Sequence, residues 1–314
     1  MPSDASTPTP GGDSTTGATG LIPILATPFD QGGDLDVDSL RRLVEFELAC
    51  GVDGLAVHGM ASEGFSLTAA ERSTIVRTVR EVAGGDVPLV AGVNATSTST
   101  AVEQGVAAVE DGADQLMVLP PFLSKLPPAH FADFYGSVAD RTGVPIMIQE
   151  ASASTGVAMS TAQLVDLGRL PGVVSVKIET QPTAPKVAAL CAATTDLAVL
   201  GGQNALFVLE EYEGGAVGTM PACEFSDALA VILRDWNAGR HDDAHAGFNR
   251  LLPLIRFGLQ PGIAHAVHKE VLVRRRVIDH AGVRSPVSAL DAHSHRTLER
   301  VLATSGLLDV APVG

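Results

Sequence analysis

The sequence predicts an α/β fold, a (β/α)8 barrel with a C-terminal three-helix extension. Three observations carry this expectation. Short apolar runs without polar alternation recur eight times along the chain, as do strands of a parallel sheet buried on both faces. Amphipathic stretches of helical period separate the runs. The first run ends in "ATPFDQGG", which holds neither the GxGxxG turn nor the P-loop pattern that an open nucleotide-binding sheet carries early. Eight units over roughly 200 residues therefore point to a closed TIM barrel rather than an open sheet.

The elements follow in order. "MPSDASTPTPGGDSTTGATG" is rich in Ser, Thr, Pro and Gly, and residues 1–19 are expected to be disordered. The barrel is assigned to 20–238 and the helical extension to 239–314. The predicted strands are "LIPILATPF" (21–29), "GLAVHG" (54–59), "VPLVAGV" (87–93), "DQLMVLP" (114–120), "VPIMIQ" (144–149), "VVSVKI" (173–178), "LAVLGG" (197–202) and "GAVGTM" (215–220). A helix over 36–51 has Asp36 or Asp38 as its N-cap and Gly51 as its stop. The helix over 66–85 starts at Thr68 with Glu71 three residues on, a capping box. A helix at about 224–238 closes the eighth unit, and 241–258, 262–278 and 286–306 read as the three helices of the extension.

Composition narrows the function. Aromatic residues make up only 4%, with Trp236, Tyr135 and Tyr212 the only Trp and Tyr, which argues against base stacking. A formal net charge of −15 argues against binding a phosphate backbone, so no nucleic-acid partner is expected. No run of 18 apolar residues exists and the N-terminus lacks a signal-peptide pattern, so no membrane span or export is expected. Cys50, Cys191 and Cys223 are far apart and odd in number, which suits thiols in a reducing cytoplasm.

In a barrel the chemistry sits at the C-terminal ends of the strands. The chain has four lysines, Lys125, Lys177, Lys186 and Lys269, and Lys177 alone falls at a strand end. A lysine there is either a residue that snorkels to water or, if its charge is desolvated, a nucleophile for imine formation. Its place among the strand ends favours the second. Other strand ends bring His58, Met60, Ala61, Ser62, Gln149, Glu150, Glu179 and Gly202 to the same mouth. Away from it, His241 and His245 have the i, i+4 spacing of a metal pair but lack the glutamate of a metalloprotease helix, so a solvated helix face is expected and no metal. "VRRR" (273–276) is read as an ion-paired helix face or a subunit contact.

Ordered motifs then make a resemblance specific. "ATPF", "GMASEGFSLTAAER", "LPPF" and "VVSVKIE" occur in the order and places of the "TPF", "GTTGE…LT..ER", "PPY" and lysine-strand segments of the dihydrodipicolinate synthase/N-acetylneuraminate lyase superfamily, class I Schiff-base lyases. The resemblance covers about residues 20–306. It implies that Lys177 forms an imine with a small-molecule 2-oxo acid, that segment 59–63 holds the substrate carboxylate, that no cofactor is needed, and that the protein is a homo-oligomer, a tetramer by analogy. The chain departs from the pattern at several places. Met60 and Ala61 replace the threonines, Gln149 stands at the place of the catalytic tyrosine, Phe122 and Leu123 replace a second tyrosine, and Ser154 an arginine. The tyrosine–threonine proton relay is thus missing. "VKIET", Lys186, "GAVGTM" and the glutamine–acid pair after strand five are similar to 2-keto-3-deoxy-L-arabonate dehydratases.

The expected function is therefore dehydration of a 2-keto-3-deoxy sugar acid through a Lys177 imine. The alternatives are a pyruvate-dependent aldolase, a dihydrodipicolinate synthase-like condensation, and a non-catalytic 2-oxo acid binding protein on a lyase scaffold. Glu150 and His58 are the expected catalytic acid or base groups. Met60, Ala61 and Ser62, Gln149 and Gly202 are expected to bind substrate, with Gln149 orienting it, since an amide cannot relay protons.

Overall fold

The computed structural model describes residues 17–124 and 127–309; most of the segment expected to be disordered lies outside them. Eight parallel strands form one sheet: β1 (Gly20–Leu21), β2 (Leu55–Val57), β3 (Leu89–Val93), β4 (Gln115–Val118), β5 (Ile146–Glu150), β6 (Val173–Ile178), β7 (Ala198–Gly201) and β8 (Gly218–Thr219). Their order is β1-β8-β7-β6-β5-β4-β3-β2. Ile24 closes the ring, forming parallel bridges to both Ala222 and Ala56. β1 and β8 are shorter than the apolar runs that predicted them. Pro23 and Pro28 interrupt the first stretch and Pro221 directly follows the last, and none supplies a backbone donor to a ladder.

Helices α1 (Val37–Ala49), α2 (Ala69–Ala83), α3 (Thr98–Glu110), α4 (Phe131–Thr142), the short α5 (Ser152–Thr155), α6 (Thr161–Gly168), α7 (Thr183–Ala193), α8 (Val208–Glu213) and α9 (Ser226–Asn237) follow the strands. The caps are those the sequence indicates. The Asp36 side chain accepts from the Ser39 N–H, and the Thr68–Glu71 capping box starts α2. After the barrel come α10 (His241–Phe257), α11 (Ala264–Arg274) and α12 (Ala292–Ser305). The last two are shorter than predicted. Arg276, at φ +61, breaks the helical path after α11, and α12 waits for its Asp291 N-cap.

Strand residues alternate between the barrel interior and the helix layer. Outward residues such as Val57, Leu116, Ile148, Val176 and Val199 pack under the helices. Inward residues build layers. At the floor, Gln115 Nε2 donates to Ser175 Oγ (2.8 Å), and the Ala18 N–H donates to Gln115 Oε1 (2.9 Å). Ala18 is thus tied to the barrel although it belongs to the segment expected to be disordered. Above the floor lie Ile22, Ile24, Ala56, Val90, Met117, Met147, Leu200 and Met220. On β6 the alternation Ser175, Lys177, Glu179 carries this stack upward into the mouth.

The features set aside in the sequence also find their places. Trp236 stacks on His241 (centroids 4.3 Å apart) and meets His245 edge-on (5.9 Å), so the histidine pair packs against an aromatic ring. Arg274 pairs with Glu270 at 3.0 Å, and Arg275 with Asp227 at 2.5 Å. Among the described residues no helix is long and apolar enough to cross a membrane.

Candidate active site

Lys177 sits at the C-terminal end of β6, 2% exposed. Its Nζ lies 3.2 Å from Glu179 Oε1. The other Glu179 oxygen accepts a 2.7 Å hydrogen bond from Gln149 Nε2. Gln149 pairs in register with Lys177 on the neighbouring strand, so the two side chains leave the sheet on the same face. A buried ion pair survives only when its polar atoms are well matched, and here one carboxylate serves a cation and an amide donor together. The Gln149 carbonyl oxygen is buried without a protein hydrogen bond among the described residues.

The loop after β7 holds this arrangement from above. Gln203, Asn204 and Ala205 have φ of +49°, +53° and +60°. Three successive non-glycine residues in the left-handed region cost about 1–3 kcal/mol each and persist only where the surroundings fix them. Gln203 Nε2 donates to the Glu179 carbonyl (2.9 Å), and Asn204 Oδ1 accepts from the Ala222 N–H (2.9 Å). Gly202, expected at the substrate, stands against Glu179: a Cβ there would collide with the carboxylate's Cγ. Its role is to make room for Glu179.

Across the mouth lies the 58–63 turn. Thr27, from the "ATPF" segment, donates its hydroxyl to the Ser62 carbonyl at 2.6 Å. The Ser62 and Glu63 N–H groups bond to the carbonyls of Gly59 and Met60. The Ser62 hydroxyl is buried with no protein hydrogen bond among the described residues. The extension braces the same turn. His265 Nε2 donates to the Met60 carbonyl (2.8 Å), since a carbonyl only accepts. Glu63, at φ +54°, binds Lys269 (2.5 Å) and accepts from the Arg284 N–H (2.9 Å).

Two expected catalytic groups are directed elsewhere. His58 has φ +59°, which breaks the strand alternation, and its Nε2 donates to the Arg72 carbonyl on α2 at 3.1 Å. Burial, and then the Arg72 charge, pull its ring well below the usual histidine range, so it is neutral. Glu150 follows Gln149 and therefore faces away from the interior. Its carboxylate, itself fully buried, is 3.0 Å from Lys186 Nζ and accepts from Thr180 Oγ1 (2.7 Å), a tie between β5 and α7. Neither reaches Lys177. The group that does is Glu179, which sequence reasoning left without a role. The signal was present in the i, i+2, i+4 series Ser175, Lys177, Glu179, which one strand face must share. Tyr135 and Tyr212 lie on α4 and α8. Among the described residues no three His, Cys, Asp or Glu side chains gather to hold a metal ion.

The site therefore offers a buried amine, a carboxylate beside it, an amide oriented by that carboxylate, and a turn with a free hydroxyl opposite. Comparison with known proteins fits this geometry. The model of the dihydrodipicolinate synthetase family matches residues 17–305. An L-2-keto-3-deoxyarabonate dehydratase of Azospirillum brasilense is 36% identical over 243 residues, 75% of this chain and 78% of that protein. An N-acetylneuraminate lyase of Citrobacter koseri is 30% identical over 255 residues, 79% of this chain and 86% of that one. The crystal structure of a dihydrodipicolinate synthase from Rhodopseudomonas palustris superposes with a TM-score of 0.86 at 26% identity, covering 91% of this chain and 97% of that chain. A family match across nearly the whole barrel and extension, on the same fold, leaves one conclusion: the chain belongs to the dihydrodipicolinate synthetase family.

Proposed function

We propose that the protein is a lysine-imine lyase that dehydrates a 2-keto-3-deoxy sugar acid. The observation that carries this is the buried Lys177–Glu179–Gln149 constellation at the barrel mouth. In the proposed reaction Lys177 Nζ adds to the C2 carbonyl of the substrate and water leaves, giving a protonated imine. The imine acidifies C3. Loss of a C3 proton gives an enamine, whose electron pair expels the C4 hydroxyl as it takes a proton, releasing water. Tautomerisation and hydrolysis of the imine return the free lysine and a 2-oxo acid shortened by one water. No separate cofactor is called on, since the imine itself is the electron sink.

Glu179 is the group that moves the protons. It touches the amine, and general acid–base catalysis needs the carrier within hydrogen-bond reach of the reacting atoms. This fills the place of the absent tyrosine relay. Gln149 positions Glu179 through its amide N–H and turns its own carbonyl oxygen to the substrate hydroxyls. With the Ser62 N–H already bonded within the turn, the N–H groups of Met60 and Ala61 and the Ser62 hydroxyl are assigned to the substrate carboxylate. The dehydratase relative at 36% identity supports dehydration over aldol cleavage. A homotetrameric state rests on family analogy, and sedimentation analysis tests it.

Incubating the protein with 2-keto-3-deoxy-L-arabonate and borohydride should add covalent mass at Lys177, and without borohydride 2-oxoglutarate semialdehyde should accumulate. Pyruvate release instead would turn the assignment to an aldolase. The lack of an adduct with any 2-oxo acid would leave a binding protein without lyase chemistry.

A further inference from the structure

A second buried carboxyl lies behind the strand end that carries Gly201 and Gly202. Glu211, on α8, has no exposed surface. Its carboxyl faces the buried Thr183 hydroxyl of α7, which has no other hydrogen-bond partner among the described residues. No cation pairs with it among them. A Cβ on Gly201 would collide with Glu211 Oε2, as one on Gly202 would with Glu179. Successive residues of an extended strand face opposite ways, so the two carboxyls flank one strand end, one in the mouth and one outside, with main chain between them. The glycine pair fits this sandwich and no larger residues do.

The charged surroundings of Glu211 come from two places. The β6 end contributes Lys177 and, just after it, Glu179, and its own helix contributes Glu210. From α7 only the Thr183 hydroxyl faces it; Lys186 is bonded to Glu150 and Cys191 lies against Gly215. Burial pushes the carboxyl up to about 7. The Thr183 hydroxyl opposes this, Glu210 and Glu179 add to it, and Lys177 opposes it. The group therefore changes charge near neutral pH, next to a pair that must pass protons.

We propose that Glu211 is a positioning residue for the reactive lysine, acting through Glu179 and the Gly201–Gly202 strand end. As a neutral acid it leaves Lys177 and Glu179 a balanced pair. As an anion it adds a second buried negative charge, which stabilises the ammonium form of Lys177 and slows imine formation. This rests on the lysine-imine reading of the site.

The test is the rate of borohydride trapping with pyruvate, followed by mass across about pH 6 to pH 9, in the wild type and in Glu211→Gln. In the wild type the rise in rate with pH should flatten above about 7. In the variant, which cannot ionise, the rise should continue, with rates equal to wild type at the acid end and about threefold to tenfold higher at the alkaline end. Parallel profiles would overturn the proposal while leaving the lysine-imine reading intact. No adduct in the wild type at any pH would overturn both. If Glu211→Gln does not fold, Thr183→Val removes the hydroxyl that holds Glu211 down. The flattening should then move to higher pH, and an unmoved profile would refute the coupling.

Discussion

Among the described residues two lysines are buried beside a glutamate, and they differ in how fully their ammonium groups are bonded. Lys269, on α11, is 2.5 Å from Glu63 Oε1, donates to the Gly282 carbonyl at 2.7 Å and lies 4.1 Å from the centre of the Phe29 ring. Its donors are committed in every direction. Lys177 has one contact of this kind, 3.2 Å to Glu179, whose second oxygen is held by Gln149. Burial pulls the Lys269 amine down to about 8 against the pull of Glu63. A lowered value therefore does not by itself mark a nucleophile. What separates the two is unspent bonding capacity. Lys269 is saturated and braces a turn; Lys177 faces a mouth where a reacting carbon could approach.

The sharpest break in this contrast is Lys177→Ala, which should abolish the borohydride adduct and all turnover while the far-UV spectrum stays native. An adduct at Lys269 in that variant would reverse the assignment. Next, Glu179→Gln should cut turnover roughly 10²–10⁴-fold, the range of a lost general acid or base. The adduct should still form, so single-turnover kinetics separate the two effects. Lys269→Met should leave the adduct in place yet cost roughly 3–5 kcal/mol in stability, because it strands a buried Glu63 charge. Replacing both, with Glu63→Leu, should recover part of that loss in urea unfolding. The pH dependence sharpens the point. The folded value of Lys269 lies below its free value, so the folded state binds fewer protons and stability should rise from pH about 8 towards 10.5. That slope should be absent in Lys269→Met. The smallest effect is Ser62→Ala, which should raise KM roughly tenfold with kcat nearly unchanged, as for one hydrogen bond to a charged group.

The barrel was readable because its signals are local. Eight apolar runs, the Thr68–Glu71 box and the Asp36 cap each depend on residues a few positions apart. Lys177 was readable for the same reason, as one charge at the end of an apolar strand. The two misplaced groups show the limit. Glu150 and Gln149 are neighbours in sequence but face opposite sides of the sheet, and strict alternation from Met147 would have separated them. His58 has no such signal: its positive φ comes from a turn that the sequence does not announce. The partners of Glu63, Lys269 and Arg284, are more than 200 residues away, and no local pattern links them.

That distance has a consequence for synthesis. A nascent chain that has emerged through β8 holds every strand, and Lys177 with them. It does not yet hold His265, Lys269 or Arg284, the groups that fix Met60 and Glu63. Domains form as the ribosome delivers them, but this turn is locked only when α11 and the segment that follows it arrive. The mouth is thus completed after its last strand, and a chain stalled before Arg284 lacks the bonds that set the turn facing its lysine.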